Sequence, residues 1–311
     1  MTTNNEHIPV LLNEVIEGLN IKDYGIYLDL TLGRAGHSSE ILKRLKTGYL
    51  IGVDQDIDAI NKSEIRLSKI SDRYKIVKSN FVNVEEILRN ENIEYVDGVL
   101  MDLGVSSPQF DEKERGFSYR EDAPLDMRMD KDNPLTAKEV VNTYSFKRLC
   151  EVFRDYGEEK YAASIASNII KARETKPIDT TYELVEIIKK SKPQKELKKV
   201  GHPAKQVFQA LRIEVNNELG VLEETLPKIV KHLRKGGGRL AIITFHSLED
   251  RIVKKIFREL SKEEGNRMDI PLVNETKEYR EINKKVIVAS EKELEENHRS
   301  SSAKLRILER K

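Results

Sequence analysis

The sequence predicts an α/β fold, a mostly parallel sheet with a helical domain inserted into it, and three observations lead to this prediction. Residues 25–30 form a short apolar run that ends at a glycine turn and continues as an amphipathic helix. A second apolar run, residues 48–54, completes a strand–helix–strand unit. Residues 136–191, by contrast, show only helical periodicity. This helical stretch interrupts an otherwise alternating chain, which indicates an insertion.

The other elements follow from the same apolar patterns along the chain. Helical spacing predicts helices at residues 7–19, 38–45, 57–70, 84–88, 207–233 and 248–260. Short apolar runs predict further strands at residues 74–77, 95–103, 239–245, 286–288 and 304–308. The run at 95–103 is apolar enough to be a central strand of a parallel sheet.

The helical stretch sets the predicted domain boundaries. Residues 104–132 are rich in Gly, Pro, Ser and charge, and indicate a long ordered loop, which is often functional. Four helices are predicted after it, at residues 136–142, 146–156, 159–174 and 181–190. We assign residues 1–110 and 207–311 to one domain, and residues 111–206 to an inserted helical domain that recognises the substrate.

The composition limits the class of protein. The 311 residues carry 54 basic and 53 acidic side chains, so a strongly basic surface must be local. Cys150 is the only cysteine, which excludes a disulfide framework and a thiolate metal cluster. No apolar run approaches the ~18 residues of a membrane span, and the N-terminus lacks a signal-peptide pattern. We expect a cytoplasmic protein with no membrane contact and no metal site.

The turn after the first strand has the pattern of a nucleoside-cofactor site. Gly33, Ala35 and Gly36 are its small residues, and Asp54 stands about 20 residues further on, at the end of the second strand. The spacing is not the Gly-x-Gly-x-x-Gly of a pyrophosphate site. It favours S-adenosylmethionine, which has no phosphate and needs acids such as Asp29 and Asp54 for its amine and hydroxyls. A turn that binds nothing and a nicotinamide-dependent oxidoreductase are the alternatives.

A second candidate site follows the fourth strand, where Ser107-Pro108-Gln109-Phe110 is similar to the Ser/Asp-Pro-Pro-Tyr motif of enzymes that methylate exocyclic amines. The amine of cytosine is a poor nucleophile because its lone pair is delocalised into the ring. Acceptors beside its hydrogens would free that lone pair, and the Ser107 hydroxyl and a carbonyl near Pro108 are candidates. Phe110 can stack on the base. A plain turn is the alternative.

Three further features have both a functional and a structural interpretation. Phe81, after the third strand, is either an adenine contact or a core residue. His246 follows the fifth strand and is a candidate RNA contact, although the pattern also fits a strand end with a helix cap at Ser247. Residues 189–205 hold seven lysines, Lys198 and Lys199 among them, against one acid. They form either a solvated surface or a phosphate-contacting one.

Several stretches, taken together, resemble one known family. They are residues 7–12, 29–38, 102–109, 115–119, 124–130, 202–204, 208–213, 215–216 and 245–251. They extend from residue 7 to residue 251, and several are long and unusual. On these residues the chain resembles the bacterial 16S ribosomal RNA cytosine-N4 methyltransferases, the MraW-like group.

The resemblance implies a class I (Rossmann-like) methyltransferase sheet, S-adenosylmethionine as methyl donor, and the N4 amine of a cytosine in the decoding region of 16S ribosomal RNA as target. The partner would be 16S ribosomal RNA within the small ribosomal subunit, with the enzyme a monomer or a homodimer. The cofactor contacts of the family fall on Ala35, Gly36, His37, Asp54, Phe81, Asp102 and Gln109. Gln109 is thereby added as a cofactor contact, in a loop that the residues alone assign to the substrate.

Two places depart from the pattern of the family. The family usually has two glycines before the histidine, whereas the first is Ala35 here, which suits a ligand only if the backbone angle is ordinary. Near the C-terminus, His298 and Ser301 stand where the family favours Pro and Arg, so we expect a weaker RNA contact there. A non-catalytic RNA-binding assembly factor is the remaining alternative.

Overall fold

The computed structural model describes residues 9–105, 109–110, 112–262 and 277–311. The chain divides into two compact units. The sheet unit comprises Met1–Gly104 and Gly220–Lys311, and the helical unit comprises Val105–Leu219. These limits differ from the boundaries that the sequence suggested, because residues 207–216 belong to the helical unit, where Val207, Phe208 and Leu211 lie in its core.

The described residues form seven strands in one sheet. In chain order they are β1 (Ile26–Asp29), β2 (Tyr49–Asp54), β3 (Tyr74–Lys78), β4 (Gly98–Asp102), β5 (Gly238–Thr244), β6 (Tyr279–Glu281) and β7 (Lys304–Arg310). The spatial order is β3-β2-β1-β4-β5-β7-β6. Strands β1 to β5 are parallel, and β7 is antiparallel to both of its neighbours. This is the class I methyltransferase sheet that the resemblance implied.

The helices of the described residues are α1 (Leu12–Leu19), α2 (Gly36–Arg44), α3 (Ile57–Leu67), α4 (Val84–Asn90), α5 (Ala137–Thr143), α6 (Phe146–Asp155), α7 (Ala162–Thr175), α8 (Thr181–Lys190), α9 (Gln194–Leu197), α10 (Lys205–Asn216), α11 (Glu218–Ile229), α12 (Ser247–Ser261) and α13 (Glu291–Glu296). None of them is long and apolar enough to cross a lipid bilayer. Short 3-10 turns occupy Phe81–Asn83, Lys113–Arg115, Val230–His232 and His298–Ser302.

The sheet is buried on both faces because successive residues of a strand point to opposite sides. Leu28, for example, packs with side chains of α4, α11 and α12, whereas its neighbour Tyr27 packs with side chains of α1 and α2. Parallel strands with helices on both faces leave the carboxyl ends of β1, β2, β3 and β4 at one edge, where such sheets bind ligands.

Two local predictions were wrong, and one strand was not predicted. The helix predicted over residues 207–233 is two helices, because Asn217 adopts a left-handed conformation (φ 48°) and ends α10. Residues 286–288 do not form a strand, since only Ile287 makes an isolated bridge, to Leu305. The edge strand β6 lies instead at Tyr279–Glu281. Only Tyr279 of that strand is buried, so no apolar run marks it.

The helical unit has its own apolar core, formed by its helices together with Phe117, Leu125 and Met127 of the loop before them. Hydrogen bonds fix that loop. The buried Arg115 guanidinium donates to the carbonyls of Arg128 and Met129, and the Asn216 amide donates to the Met127 carbonyl and accepts from the Met129 amide. These bonds join the stretches 115–119, 124–130 and 215–216, which gives those stretches a structural role.

Candidate active site

The turn between β1 and α2 has a left-handed backbone at two positions. Gly33 has φ 52° and Ala35 has φ 56°. The Ala35 amide donates to the Leu32 carbonyl at 2.8 Å, which closes the turn before α2 begins. A left-handed conformation is unfavourable for a residue with a Cβ. The backbone angle at Ala35 is therefore not ordinary, and the departure from glycine places strain in the candidate cofactor turn.

Gly36, the first residue of α2, is required by packing. A Cβ on Gly36 would lie 2.5 Å from Cγ of Pro9, so only glycine allows the N-terminal segment to cover the turn. The next residue, His37, is buried, and its Nε2 lies 2.9 Å from the Val10 carbonyl. Pro9 and Val10 thus secure the start of α2. This contact gives a structural role to part of residues 7–12, one of the stretches on which the resemblance to the known family is based.

Asp29, expected to serve the ligand, is used by the protein instead. The residue is 1% exposed. Its Oδ1 accepts from the Thr31 amide at 3.1 Å, and its Oδ2 accepts from the Ser38 hydroxyl at 2.7 Å. Burial raises the pKa of Asp29 to about 6, against the opposing effect of these hydrogen bonds. The carboxyl group therefore holds the turn to α2.

Asp54, at the end of β2, contacts the turn directly. Its Oδ2 accepts from the Gly33 amide at 2.8 Å, and its Oδ1 accepts from the Asp56 amide at 2.9 Å. The Ser63 hydroxyl of α3 donates to the Gly33 carbonyl at 2.7 Å, so both peptide groups that flank the Cα of Gly33 are fixed. Burial raises the pKa of Asp54 to about 6. Each carboxylate oxygen has a second lone pair, so Asp54 can still accept hydrogen bonds from a ligand.

Asp102, at the end of β4, is less completely bonded. Its Oδ1 is buried and has no hydrogen-bond partner among the described residues. Its Oδ2 lies 3.7 Å from Nδ1 of His37, which is too far for a hydrogen bond. The side chain is 28% exposed, so the group remains accessible. Burial, followed by the charges of Asp29 and Glu249, raises the pKa of Asp102 to about 8.

Phe81 begins the 3-10 turn after β3 and is partly buried against the core of the sheet unit. The Asn80 side chain accepts from the Val82 amide at 3.0 Å and donates to Gln55 beside Asp54, also at 3.0 Å. Phe81 therefore stands on a loop that is bonded to the end of β2. Both interpretations of Phe81, as a core residue and as a ligand contact, fit this position.

His246 caps α12, a role that the sequence suggested for Ser247. The Nδ1 of His246 accepts from the Glu249 amide at 3.5 Å, and Oε2 of Glu249 accepts from the Phe245 amide at 2.8 Å. The Nε2 of His246 lies 3.1 Å from Oε1 of Glu249. The Nε2 atom is nevertheless buried without a hydrogen bond among the described residues, because the angle of this contact does not suit a hydrogen bond.

The loop after β4 continues into the helical unit. Ser107 and Pro108, the candidate catalytic residues, lie outside the described residues. Gln109 is buried, with 6% of its surface exposed. Phe110 is 39% exposed and meets Phe117 edge-on, with 6.4 Å between the ring centroids. Phe110 thus keeps a ring surface open to solvent.

The lysines of residues 189–205 differ in their surroundings. Lys192 is buried in an ion pair with Glu159 at 2.6 Å and also donates to the Pro203 carbonyl. Lys199 pairs with Glu196 at 2.8 Å on the surface. Lys198 is exposed and forms no ion pair with another described residue, a property that it shares with Lys190, Lys195 and Lys205. The segment therefore combines one structural lysine with several open charges.

A family model described as the MraW methylase family matches residues 4–311. The chain belongs to the MraW methylase family. A relative from Mesoplasma florum (strain ATCC 33453 / NBRC 100688 / NCTC 11704 / L1) is 53% identical over 310 residues, which cover 98% of this chain and 99% of the relative. One from Spiroplasma kunkelii is 56% identical over 309 residues, 98% of each chain. Both are named "Ribosomal RNA small subunit methyltransferase H". This MraW methylase is a methyltransferase, and its methyl donor is S-adenosylmethionine.

The residues of the sheet unit fit that donor. When bound, S-adenosylmethionine supplies an electrophilic methyl group on a positively charged sulfur, together with ribose hydroxyls and an ammonium group. The free lone pairs of Asp54 suit the hydroxyls. The buried, unpartnered Oδ1 of Asp102 suits a positive charge. The structure brings Gly33, Ala35, Gly36, His37, Asp54 and Asp102 of this methylase to one edge of the sheet unit, whereas Gln109 and Phe110 belong to the helical unit.

Sequence patterns missed the residues that hold this site in shape. Ser38 donates to Asp29, 9 residues away in the chain, and Ser63 donates to the Gly33 carbonyl, 30 residues away. No local pattern distinguishes them from other serines of amphipathic helices. Pro9 and Val10 were included in a matching stretch of the methylase family, but their contacts with Gly36 and His37 require the folded chain.

Proposed function

We propose that this methylase transfers the methyl group of S-adenosylmethionine to the exocyclic N4 amine of a cytosine in the decoding region of 16S ribosomal RNA. Relatives more than half identical to this chain carry a ribosomal RNA small-subunit methyltransferase name, which supports ribosomal RNA as the substrate. The N4 position is supported by the sequence Ser107-Pro108-Gln109-Phe110, which is similar to the motif of amine methylases.

The single observation that carries the proposal is the pair of acids at the edge of the sheet unit. Asp54 is bonded to the turn and keeps lone pairs for hydroxyl groups. Asp102 has an oxygen that is buried and unpartnered among the described residues. Burying such an acceptor without a partner is costly. A buried acceptor oxygen of this kind is stabilised when a positively charged cofactor binds beside it. We therefore infer that Asp102 faces the cationic part of S-adenosylmethionine.

The protein's contribution to the chemistry is positioning. Asp54 orients the ribose, and Gly33 to Gly36 admit the ligand beside the start of α2. The Ser107 hydroxyl and the carbonyl near Pro108 accept from the hydrogens of the cytosine amine, which lets the nitrogen lone pair face the methyl group. Holding the two reactants in line supplies about 7–11 kcal/mol of the barrier. The amine proton leaves after the transfer, so a strong base is not needed.

The substrate side of the proposal uses the helical unit. A base must be unstacked to be methylated on its exocyclic amine, which suits a loop or a partly assembled subunit. Phe110 presents an exposed aromatic ring on which a base can stack. Lys198 and the other open lysines of residues 189–205 contact phosphates. His246 caps α12 and its Nε2 atom is buried, so its proposed RNA contact is limited to the small exposed part of the ring.

The test uses small subunits and naked 16S RNA from a strain that lacks the enzyme. Each is incubated with purified protein and S-adenosylmethionine carrying a deuterated methyl group, digested to nucleosides and analysed by mass spectrometry. We expect deuterium only in N4-methylcytidine, and we expect fragment mapping to find it in the decoding region. Label in 5-methylcytidine or in a purine would contradict the N4 assignment. No label in either RNA would contradict the choice of RNA substrate.

A further inference from the structure

The Asp102 carboxyl group lies among other acids, and the described part of the chain places no lysine or arginine against it. The charged groups that influence it are the carboxylates of Asp29 from the end of β1 and of Glu249 from α12. Both of these are hydrogen-bonded to the protein themselves. A negative charge on Asp102 is therefore unfavourable when no ligand is bound.

His37, the basic side chain that the described residues place beside Asp102, provides no positive charge. A carbonyl oxygen can only accept, so the contact between Nε2 of His37 and the Val10 carbonyl places the ring proton on Nε2. Burial lowers the pKa of His37 to about 4, so the ring is neutral at physiological pH. Its Nδ1 therefore presents a lone pair to Oδ2 of Asp102, at 3.7 Å. Two acceptors facing each other favour a proton on the carboxyl group.

We propose that Asp102 carries a proton in the ligand-free enzyme and releases it when S-adenosylmethionine binds, so that the site exchanges a proton for the positive charge of the ligand. The carboxyl O–H bond breaks, the proton passes to solvent, and the carboxylate then faces the cation. The buried Oδ1 gains the partner that it lacks. This inference rests on the proposed function only through the identity of the methyl donor.

The exchange would make Asp102 a selector for positive charge. A neutral nucleoside does not offset the repulsion between an Asp102 carboxylate and the carboxylates of Asp29 and Glu249. Asp102 would therefore keep its proton when such a nucleoside binds. A cationic ligand stabilises the carboxylate directly. His37 affects ligand binding only through Asp102. Its ring is neutral and carries its proton on Nε2, so it cannot stabilise the Asp102 carboxylate before the ligand binds.

Isothermal titration calorimetry at pH 7 in two buffers with different ionisation enthalpies counts the protons released. With the pKa of Asp102 at about 8, the wild type should release about 0.9 proton per site from this carboxyl group at pH 7. The ligand's own amino group titrates at about 7.7–8.0, so it is already mostly protonated at pH 7 and takes up at most about 0.2 proton on binding. We therefore expect the wild type to release about 0.7–0.9 proton more than Asp102→Asn at pH 7.

The association constant provides a second measurement. Because the carboxylate is the binding form, the affinity of the wild type should rise close to tenfold per pH unit from pH 6 to pH 7.5 and then level off. That of Asp102→Asn should change much less. Should Asp102→Asn fail to bind or fold, the wild type is titrated with 5′-methylthioadenosine, a neutral analogue, which should bind without releasing a proton.

Equal proton counts for wild type and Asp102→Asn would overturn the exchange, as would release of a proton on binding of the neutral analogue. Both outcomes leave the identity of the methyl donor intact. A wild-type protein that binds no S-adenosylmethionine under any of these conditions would contradict the donor assignment itself, so the two failures are distinguishable.

Discussion

The edge of the sheet unit carries negative charges and the lysine-rich segment of the helical unit carries positive ones. The two regions also differ in how strongly the charged groups are buried and bonded. At the sheet edge, the charges are a few acids that are largely buried, and hydrogen bonds to the protein place two of them, Asp29 and Asp54. In residues 189–205 the charges are mostly exposed lysines without fixed partners. The first arrangement selects a ligand by the position of single atoms, whereas the second attracts a polyanion by its field.

Each region also contains two residues of the same type with different roles. At the sheet edge, Asp29 is buried and both of its oxygens accept hydrogen bonds from the protein, while Asp102 keeps an oxygen that has no hydrogen-bond partner among the described residues. In the lysine segment, Lys192 is buried in an ion pair, while Lys198 is exposed and pairs with no acid among the described residues. We infer that the bonded residue of each pair builds the structure and that the other serves a ligand. The predictions below test this division, from the largest expected effect to the smallest.

Lys192→Ala should destabilise the protein strongly. The substitution leaves the Glu159 carboxylate, 5% exposed, without its charge partner, which typically costs about 3–5 kcal/mol. Urea denaturation followed by circular dichroism measures this loss. As a control, Lys192→Met combined with Glu159→Gln removes the uncompensated charge and should recover most of the stability. An unchanged denaturation midpoint for Lys192→Ala would refute the structural role of this lysine.

Asp54→Ala should weaken the binding of S-adenosylmethionine by about 100-fold or more, because a charged acceptor of the ribose hydroxyls is lost and each such hydrogen bond contributes about 1.5–3 kcal/mol. The amides of Gly33 and Asp56 also lose their acceptor. Calorimetry measures the affinity. Asp72→Ala changes an exposed acid of the same unit and should bind normally. Unchanged affinity in Asp54→Ala would reject the assignment of the ribose contact.

Lys198→Ala should weaken RNA binding a few-fold at low salt and leave the stability unchanged, because the side chain is exposed and unpaired among the described residues. If Lys198 contacts one phosphate, the slope of log affinity against log salt should fall by about 0.7–0.9. Fluorescence anisotropy with a 16S RNA fragment over a range of salt concentrations measures both quantities. Glu139→Ala alters an exposed charge elsewhere in the helical unit and is the control. An identical slope would mean that Lys198 does not meet a phosphate.

Ala35→Gly should leave the free energy of unfolding almost unchanged. Removing the Cβ relieves left-handed strain of about 1–2 kcal/mol. The greater entropy of glycine in the unfolded chain offsets about 0.4–1 kcal/mol of it, and the loss of a fully buried methyl group offsets about 0.8 kcal/mol more. The same substitution at Ala163, exposed in α7, should instead destabilise by up to about 1 kcal/mol. A loss of stability at both positions would show that φ 56° at Ala35 is not strained.

The sequence was sufficient for parts of the molecule that depend on local pattern. The strand, turn and helix around Gly33, and the position of Asp54 at the end of β2, follow from apolar periodicity and glycine spacing. Features that depend on distant contacts were not predictable. The use of Asp29 depends on Ser38, and strand β6 pairs at the edge of the sheet with almost no apolar residues of its own. The cap of α12 at His246 depends on a side-chain nitrogen, where the pattern favoured a serine hydroxyl.

The central claim is that the turn at Gly33 and the acids Asp54 and Asp102 together hold the methyl donor. A crystal structure of the enzyme with S-adenosylmethionine tests it most directly. The account predicts that both ribose hydroxyls lie within about 3.2 Å of the Asp54 carboxylate and that a cationic group of the ligand faces Asp102. A nucleoside bound away from the carboxyl ends of β1, β2 and β4, with Oδ1 of Asp102 still unpartnered, would contradict it.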